Sequence, residues 1–194
     1  MNDSYERSNM KIRGYGLGQI IYLAVSLLCT KINYPAVRLI RLPFFFRVRG
    51  WLTFGQGFTS GRSLRIDVHS GGHLSFGTNV QINDNCQIAC AGRIVIGDNV
   101  LIASKVFISD HDHDFNSTGT PMEWALKVAD VSVEDGCWIG NGVSILKGVN
   151  IGRSSIVGAG SVVTHSFPEY SIIAGSPAKL IGNRQMGSAC FERN

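Results

Sequence analysis

With 194 residues, the chain has room for one main domain and a short accessory segment. A formal net charge of +4, with no basic stripe interleaved with aromatics, argues against nucleic acid as the main partner. Five cysteines with no Cys-x-x-Cys pair suggest neither a disulfide framework nor a zinc site, and fit a reducing cytoplasm.

Residues 1–13 are polar, carry no signal-peptide pattern and are expected to fray. Leu17 to Cys29 is almost wholly apolar, relieved by Gln19 and Ser26, and falls short of the roughly 20 residues that span a bilayer. Lys31 and Asn33 close this run and Pro35 breaks it. A second apolar run follows from Val37 to Phe46, with Arg38, Arg41 and Arg47 set into and beside it. Residues 1–50 therefore read as an apolar, basic helical segment. Two roles fit it: a pair of helices capping the open end of a stacked fold, or an interfacial segment with arginines at lipid head groups.

Further along, the period changes. An aliphatic or near-aliphatic residue returns every sixth position, at Phe76, Ile82, Ile88, Ile96, Ile102 and Ile108. After a break the rhythm resumes at Val133, Ile139, Ile145, Ile151, Val157 and Val163. Six matches neither a helix nor the alternation of a half-buried strand. It is the mark of a parallel β-helix, whose coils stack about 4.8 Å apart with the aliphatic residues pointing inward. Small residues follow the aliphatics, as at Gly77, Gly97, Gly140 and Gly152, and are expected to turn the corners with positive φ. Phe54, Ser60 and Ile66 carry the rhythm upstream, so the β-helix is expected over 51–182, with 183–194 a loose tail. The register slips at Ser70-Gly71-Gly72 and again at Ala91-Gly92. His69 and His73, beside the first slip, read as surface histidines; Cys86 and Cys137, at small hexad positions, read as packed thiols.

Between Ile108 and Val133 the hexads stop, leaving a long loop near residues 110–131 that opens with Asp110-His111-Asp112-His113-Asp114. Such an excursion from a regular scaffold is expected to serve a site. A histidine titrating near neutrality suits proton abstraction from an alcohol. The same run offers metal ligands, but strand alternation sends His and Asp to opposite sides and no further ligand cluster is visible, so no metal is expected.

Several segments carry a resemblance: Val80–Asn85, Ile96–Ala103, Phe107–His113, Cys137–Gly140, Ile156–Ser161 and the Ala-Gly-Ser-Pro-Ala-Lys run ending at Lys179. Together they resemble the hexapeptide-repeat acyltransferases. Within that group they are most similar to sugar O-acetyltransferases of the galactoside, maltose and nodulation type, especially those modifying O-antigen or exopolysaccharide. The resemblance implies an all-β, left-handed parallel β-helix assembled as a homotrimer. It also implies direct transfer from acetyl-CoA to a sugar hydroxyl of a polysaccharide or lipopolysaccharide precursor, lipid-linked or free.

His111 is implied as the general base, with acceptor contacts from Asn83, Asp84 and His113. The pantetheine arm is expected along the C-terminal coils, near Trp138, Gly140, Asn141, Ala159, Thr164, His165 and Lys179. In the galactoside enzymes an aspartate accompanies the histidine, but Ala91 stands at that place here, leaving Asp84 or a backbone carbonyl to orient His111. An amino sugar, serine or a free oligosaccharide is the alternative acceptor, and a metal-binding β-helix of the γ-carbonic-anhydrase type is a more distant reading. The expected location is the cytoplasm, on the face of the inner membrane if residues 17–46 bind lipid.

Overall fold

The computed structural model describes residues 16–184, so the expectations for residues 1–13 and for most of the tail lie outside the described residues. The hexads wind into a parallel β-solenoid of about seven coils, whose short strands stack on three faces. The first face stacks Leu39–Ile40, Thr59–Ser60, Gln81–Ile82, Leu101–Ile102, Trp138–Ile139, Ile156–Val157 and Ser171–Gly175. The second runs from Phe44–Val48 through Leu64–Val68, Gln87–Cys90, Phe107–Ser109 and Ser144–Ile145 to Val162–Val163. The third runs from Trp51–Phe54 through His73–Phe76, Arg93–Ile96 and Val131–Val133 to Asn150–Ile151. The bend after a first-face strand is the first corner, the bend after a second-face strand the second, and the remaining bend the third.

The six-residue period becomes three ladders. Ile82, Ile102, Ile139, Val157 and Ile173 register one above another on the first face. Ile66, Ile88, Ile108, Ile145 and Val163 do so on the second, and Phe76, Ile96, Val133 and Ile151 on the third. All are buried. Each such side chain contributes about 1.5–3 kcal/mol by leaving water. At the N-terminal end the ladder turns aromatic: Phe54, Phe58 and Phe76 stack, and Tyr34 packs edge-on against Phe46 and Phe54 to close the prism.

Corner glycines work differently from the expectation. Positive φ falls three residues after the aliphatic, at Asn79, Asn85, Asn99, Lys105, Gly142 and Gly160. The glycine directly after the aliphatic is required by close approach instead. A Cβ on Gly77 would sit 2.3 Å from Asp98 Oδ1, and one on Gly97 would sit 2.4 Å from Asp135 Oδ1. Those carboxylates accept backbone N–H bonds from the coil below, Asp98 from Thr78 and Asp135 from Asp98. The small residue thus admits a bond between coils.

The N-terminal segment is half helix and half solenoid. A single helix, α1, spans Leu17–Asn33, and the expected second helix is instead the pair of strands Leu39–Ile40 and Phe44–Val48 that starts the first coil. Ile40 and Phe46 are six residues apart and already obey the hexad rule; the intervening arginines only decorate the outward positions. The solenoid therefore begins near residue 39 rather than 51. No described helix is long and apolar enough to cross a membrane. Helix α1 is inverted in character. It buries Ser26 and Thr30, which bond the backbone of Leu42 and Ile40, while Leu17, Ile21 and Leu28 form an outward stripe and Ile32 is exposed at the helix's last turn.

Candidate active site

His111 stands at the second corner of the fourth coil, where the solenoid breaks into an arm. The expected loop is a hairpin there, His111–His113 pairing antiparallel with Leu126–Val128. Its base is tied down by the Ala129 N–H donating to the Asp110 carbonyl at 2.8 Å. Strand alternation separates the run: Asp112 pairs with Lys147, and Asp114 with Lys127.

The group that orients His111 is its neighbour Asp110, correcting the choice of Asp84 or a carbonyl. Asp110 is fully buried, and its Oδ1 lies 2.8 Å from His111 Nδ1. The same carboxylate accepts the N–H groups of Ala91 and Gly92, each at 2.8 Å. Backbone N–H groups can only donate, so both carboxylate oxygens act as acceptors and Nδ1 must carry the proton toward them. Nε2 is left as the basic nitrogen. The Cys90 thiol, 3.5 Å from Asp110 Oδ2, is pushed up to about 12, first by burial and then by the Asp110 charge. Burial likewise pushes Cys137 up to about 11. Neither is a thiolate nucleophile.

The slip at Ala91-Gly92 explains this arrangement. Its extra residues swing two N–H groups under Asp110, and a Cβ on Gly92 would sit 2.4 Å from Val128 Cγ1 of the arm. His69, read from sequence as a surface residue, is half-buried with its ring centroid 5.1 Å from that of His111. His73 points away and stacks on Trp51 at 4.3 Å. Asp110 and His69 were the residues that sequence reasoning missed; two register slips stacked on the same corner as the loop were the available signal.

The remaining candidates divide between two corners. Asn83 and Asp84 lie at the first corner of the third coil, where Asp84 Oδ1 accepts the Arg62 N–H at 2.7 Å; neither meets His111 within one chain. Trp138, Gly140, Asn141 and Ala159 lie on the first face and first corner of the next coils. There a Cβ on Gly140 would come within 2.7 Å of the Ala159 N. Lys179 is on the closing strand Ala178–Asn183, opposite Ala174. Thr164 and His165 instead share the second corner with His111, two coils above it. His113 donates within its own arm, its Nδ1 3.3 Å from the Trp124 carbonyl, and does not join His111. One strand of the second face, roughly 15–20 Å at about 3.3 Å per residue, separates the two groups. Among the described residues no group of three or more His, Cys, Asp or Glu gathers as a metal site.

A family model described as bacterial transferase hexapeptide (six repeats) matches residues 130–165. An Escherichia coli (strain K12) protein, provisionally named the lipopolysaccharide biosynthesis O-acetyl transferase WbbJ, is 41% identical over 175 residues, 86% of this chain and 89% of its own length. The chain belongs to the hexapeptide-repeat acetyltransferases. Among solved structures, a maltose O-acetyltransferase from Clostridium difficile 630 is 27% identical with a TM-score of 0.57, covering 74% of this chain and 71% of its own. A hexapeptide-repeat acetyltransferase of Vibrio cholerae O1 biovar eltor, solved with acetyl-CoA, is 25% identical with a TM-score of 0.51 over 74% and 72%. The protein is an acetyl-CoA-dependent acetyltransferase. The exposed Trp138 ring stands beside Gly140 and Ala159 at the first corner, and Lys179 lies on the closing strand.

Proposed function

We propose that the protein acetylates a sugar hydroxyl of a lipopolysaccharide or polysaccharide precursor, with His111 as general base. The observation that carries this reading is the buried Asp110 on His111 Nδ1, which leaves Nε2 free. The acceptor hydroxyl gives its proton to Nε2 as its oxygen bonds the thioester carbonyl carbon. The C–S bond then breaks, and the departing sulfur takes that proton from the imidazolium to leave as the thiol of CoA. No acyl-enzyme is formed. The test is glycan O-acetylation in the parent strain, in a strain lacking the protein, and in that strain carrying His111→Ala. Restoration by His111→Ala overturns the base; unchanged glycan in the deletion overturns the acceptor.

We also propose a homotrimer in which His111 of one copy faces the first corner of the next. What supports it is the division of candidate residues between two corners of a single chain. Exposed apolar groups on both sides of that seam support it too: Phe115, Met122 and Val128 on the arm, and the outward stripe of α1.

Membrane contact is proposed for the N-terminal end of the prism, on the cytoplasmic face of the inner membrane. Ile32, Phe45 and Trp51 are exposed there beside Lys31, Arg38 and Arg49. Near an anionic surface each such cation contributes about 1 kcal/mol.

A further inference from the structure

Helix α1 does not lie across the open end of the prism. It descends along the first corner, its N-terminal half at the level of the second and third coils. Between it and the corner lies a groove of about 380 Å³, whose walls include Tyr22, Arg41, Arg62, Gln81, Asn83 and Asp84. Arg62 lies with its guanidinium carbon 4.6 Å above the Tyr22 ring, and Arg41 Nη1 donates to the Ser60 carbonyl at 3.1 Å. Neither arginine is in a salt bridge among the described residues. The carboxylate in the groove, Asp84, spends Oδ1 on the backbone N–H of Arg62. Gln19, in the first turn of α1, also lines the groove, and that turn holds no acidic residue.

We infer that this groove binds the phosphate of a glycosyl phosphate or diphosphate acceptor, with Arg41 and Arg62 as the anion clamp and Asn83 toward the sugar. The inference rests on the proposed transfer to a sugar and names the acceptor's chemical class. Two guanidinium groups against the one carboxylate of Asp84 leave the groove net positive, and their forked N–H donors match the oxygens of a phosphate. Asn83 Oδ1 accepts from Gln81 Nε2 at 3.4 Å, which leaves its amide N–H₂ group as the donor to offer a hydroxyl. The clamp sits at the corner that the proposed seam brings against His111 of the next copy, so phosphate binding would hold the acceptor between them.

Binding is measured by calorimetry on the full-length protein, so the outcome does not depend on catalysis. The probes are inorganic pyrophosphate, UDP-glucose, farnesyl diphosphate, glucuronate and glucose. Pyrophosphate is expected to bind, and Arg62→Gln with Arg41→Gln to weaken it at least tenfold, while Arg62→Lys with Arg41→Lys retains most of it. Arg93→Gln, on the third face, is expected to change nothing. A preference for UDP-glucose assigns a soluble nucleotide sugar and a preference for farnesyl diphosphate a lipid carrier; either supports the clamp. Equal loss in Arg93→Gln, no loss in the double Gln variant with an unchanged melting temperature, or glucuronate binding as tightly as pyrophosphate overturns it. Should His111→Ala abolish transfer while the clamp fails, only this inference falls.

Discussion

Two corners of the prism flank the second face, and only one of them is regular. At the first corner the inward residues are always six apart: Ile40 to Phe46, Ser60 to Ile66, Ile82 to Ile88, Ile102 to Ile108, Ile139 to Ile145 and Val157 to Val163. At the second corner the step is longer in each of the first four coils: Phe46 to Phe54, Ile66 to Phe76, Ile88 to Ile96 and Ile108 to Val133. It becomes six only at Ile145 to Ile151. At its C-terminal coils the regular first corner carries small residues, Gly140, Gly158 and Ala159, along the proposed donor path. Irregular corners turn N–H groups and side chains out of register, and that is how Asp110 comes to be held by Ala91 and Gly92 of the coil below. The candidate base sits where the repeat fails.

The largest effect expected from breaking that contrast is at His111. His111→Ala should keep the fold and lower acetyl transfer by roughly 10²–10⁴-fold, the usual scale of general acid–base catalysis. At the other corner, Ala159→Trp should block the donor. Refolding the two inactive variants together should return part of the activity, because some seams then pair an intact second corner with an intact first. A monomeric mass by light scattering, or no recovery in verified mixed oligomers, would refute the shared site.

Next in size is Asp110→Asn. Its amide N–H₂ group would replace one acceptor facing the Ala91 or Gly92 N–H, and an unpaired buried donor costs about 1–3 kcal/mol. The imidazole also loses the charge that fixes its orientation, and misplacement by about 1 Å costs roughly 10²-fold in rate. Turnover should fall with the KM for acetyl-CoA unchanged, and the melting temperature should drop. A variant with parental turnover would make Asp110 purely structural.

How much of this was legible follows the same contrast. The hexads announced the solenoid because an inward ladder demands an aliphatic at each sixth place. Positions such as Val80, Cys86, Val100 and Cys137 were fixed by the same rule and are buried. The first coil escaped because Arg38, Arg41 and Arg47 interrupt an apolar run that otherwise reads as helix, although Ile40 and Phe46 keep the step of six. His111 was legible as a candidate base; the placing of Asp110 and His69 beside it was not. Their roles come from residues about 20 and 40 positions apart meeting at one corner, a distance set by the lengths of the slips rather than by any local pattern. The split of the candidate donor residues, with Thr164 and His165 on the His111 side, likewise needs the coil count.

A smaller effect comes from glycine substitutions, which should break the two corners differently. Gly92→Ala presses on Val128 Cγ1, part of a flexible arm, so turnover should fall roughly tenfold while stability changes little. Gly140→Ala presses on the backbone of Ala159 and Val157, both within 2.7 Å, so the melting temperature should fall and donor binding weaken. Kinetics and calorimetry on both proteins separate the cases, and identical behaviour would mean that the corners are not specialised.

The smallest effect concerns lipid, and it discriminates the two apolar surfaces near α1. Deleting everything before Arg49 is a poor test, because it removes Leu39–Ile40 and Phe44–Val48 and so the first coil itself. Substitutions are cleaner. Because α1 runs along the first corner, three copies around an axis parallel to the prisms would point their stripes sideways, where one flat bilayer cannot meet all three. The ends of the three prisms, by contrast, lie in a common plane. Ile32→Ser with Phe45→Ser should therefore lower flotation with anionic vesicles several-fold, each exposed side chain being worth about 1.5–3 kcal/mol of burial at most. Ile21→Ser with Leu28→Ser should leave flotation alone and loosen the oligomer. If the second pair abolishes flotation while the mass by light scattering stays that of a trimer, the helix stripe is the lipid surface and the seam must lie elsewhere.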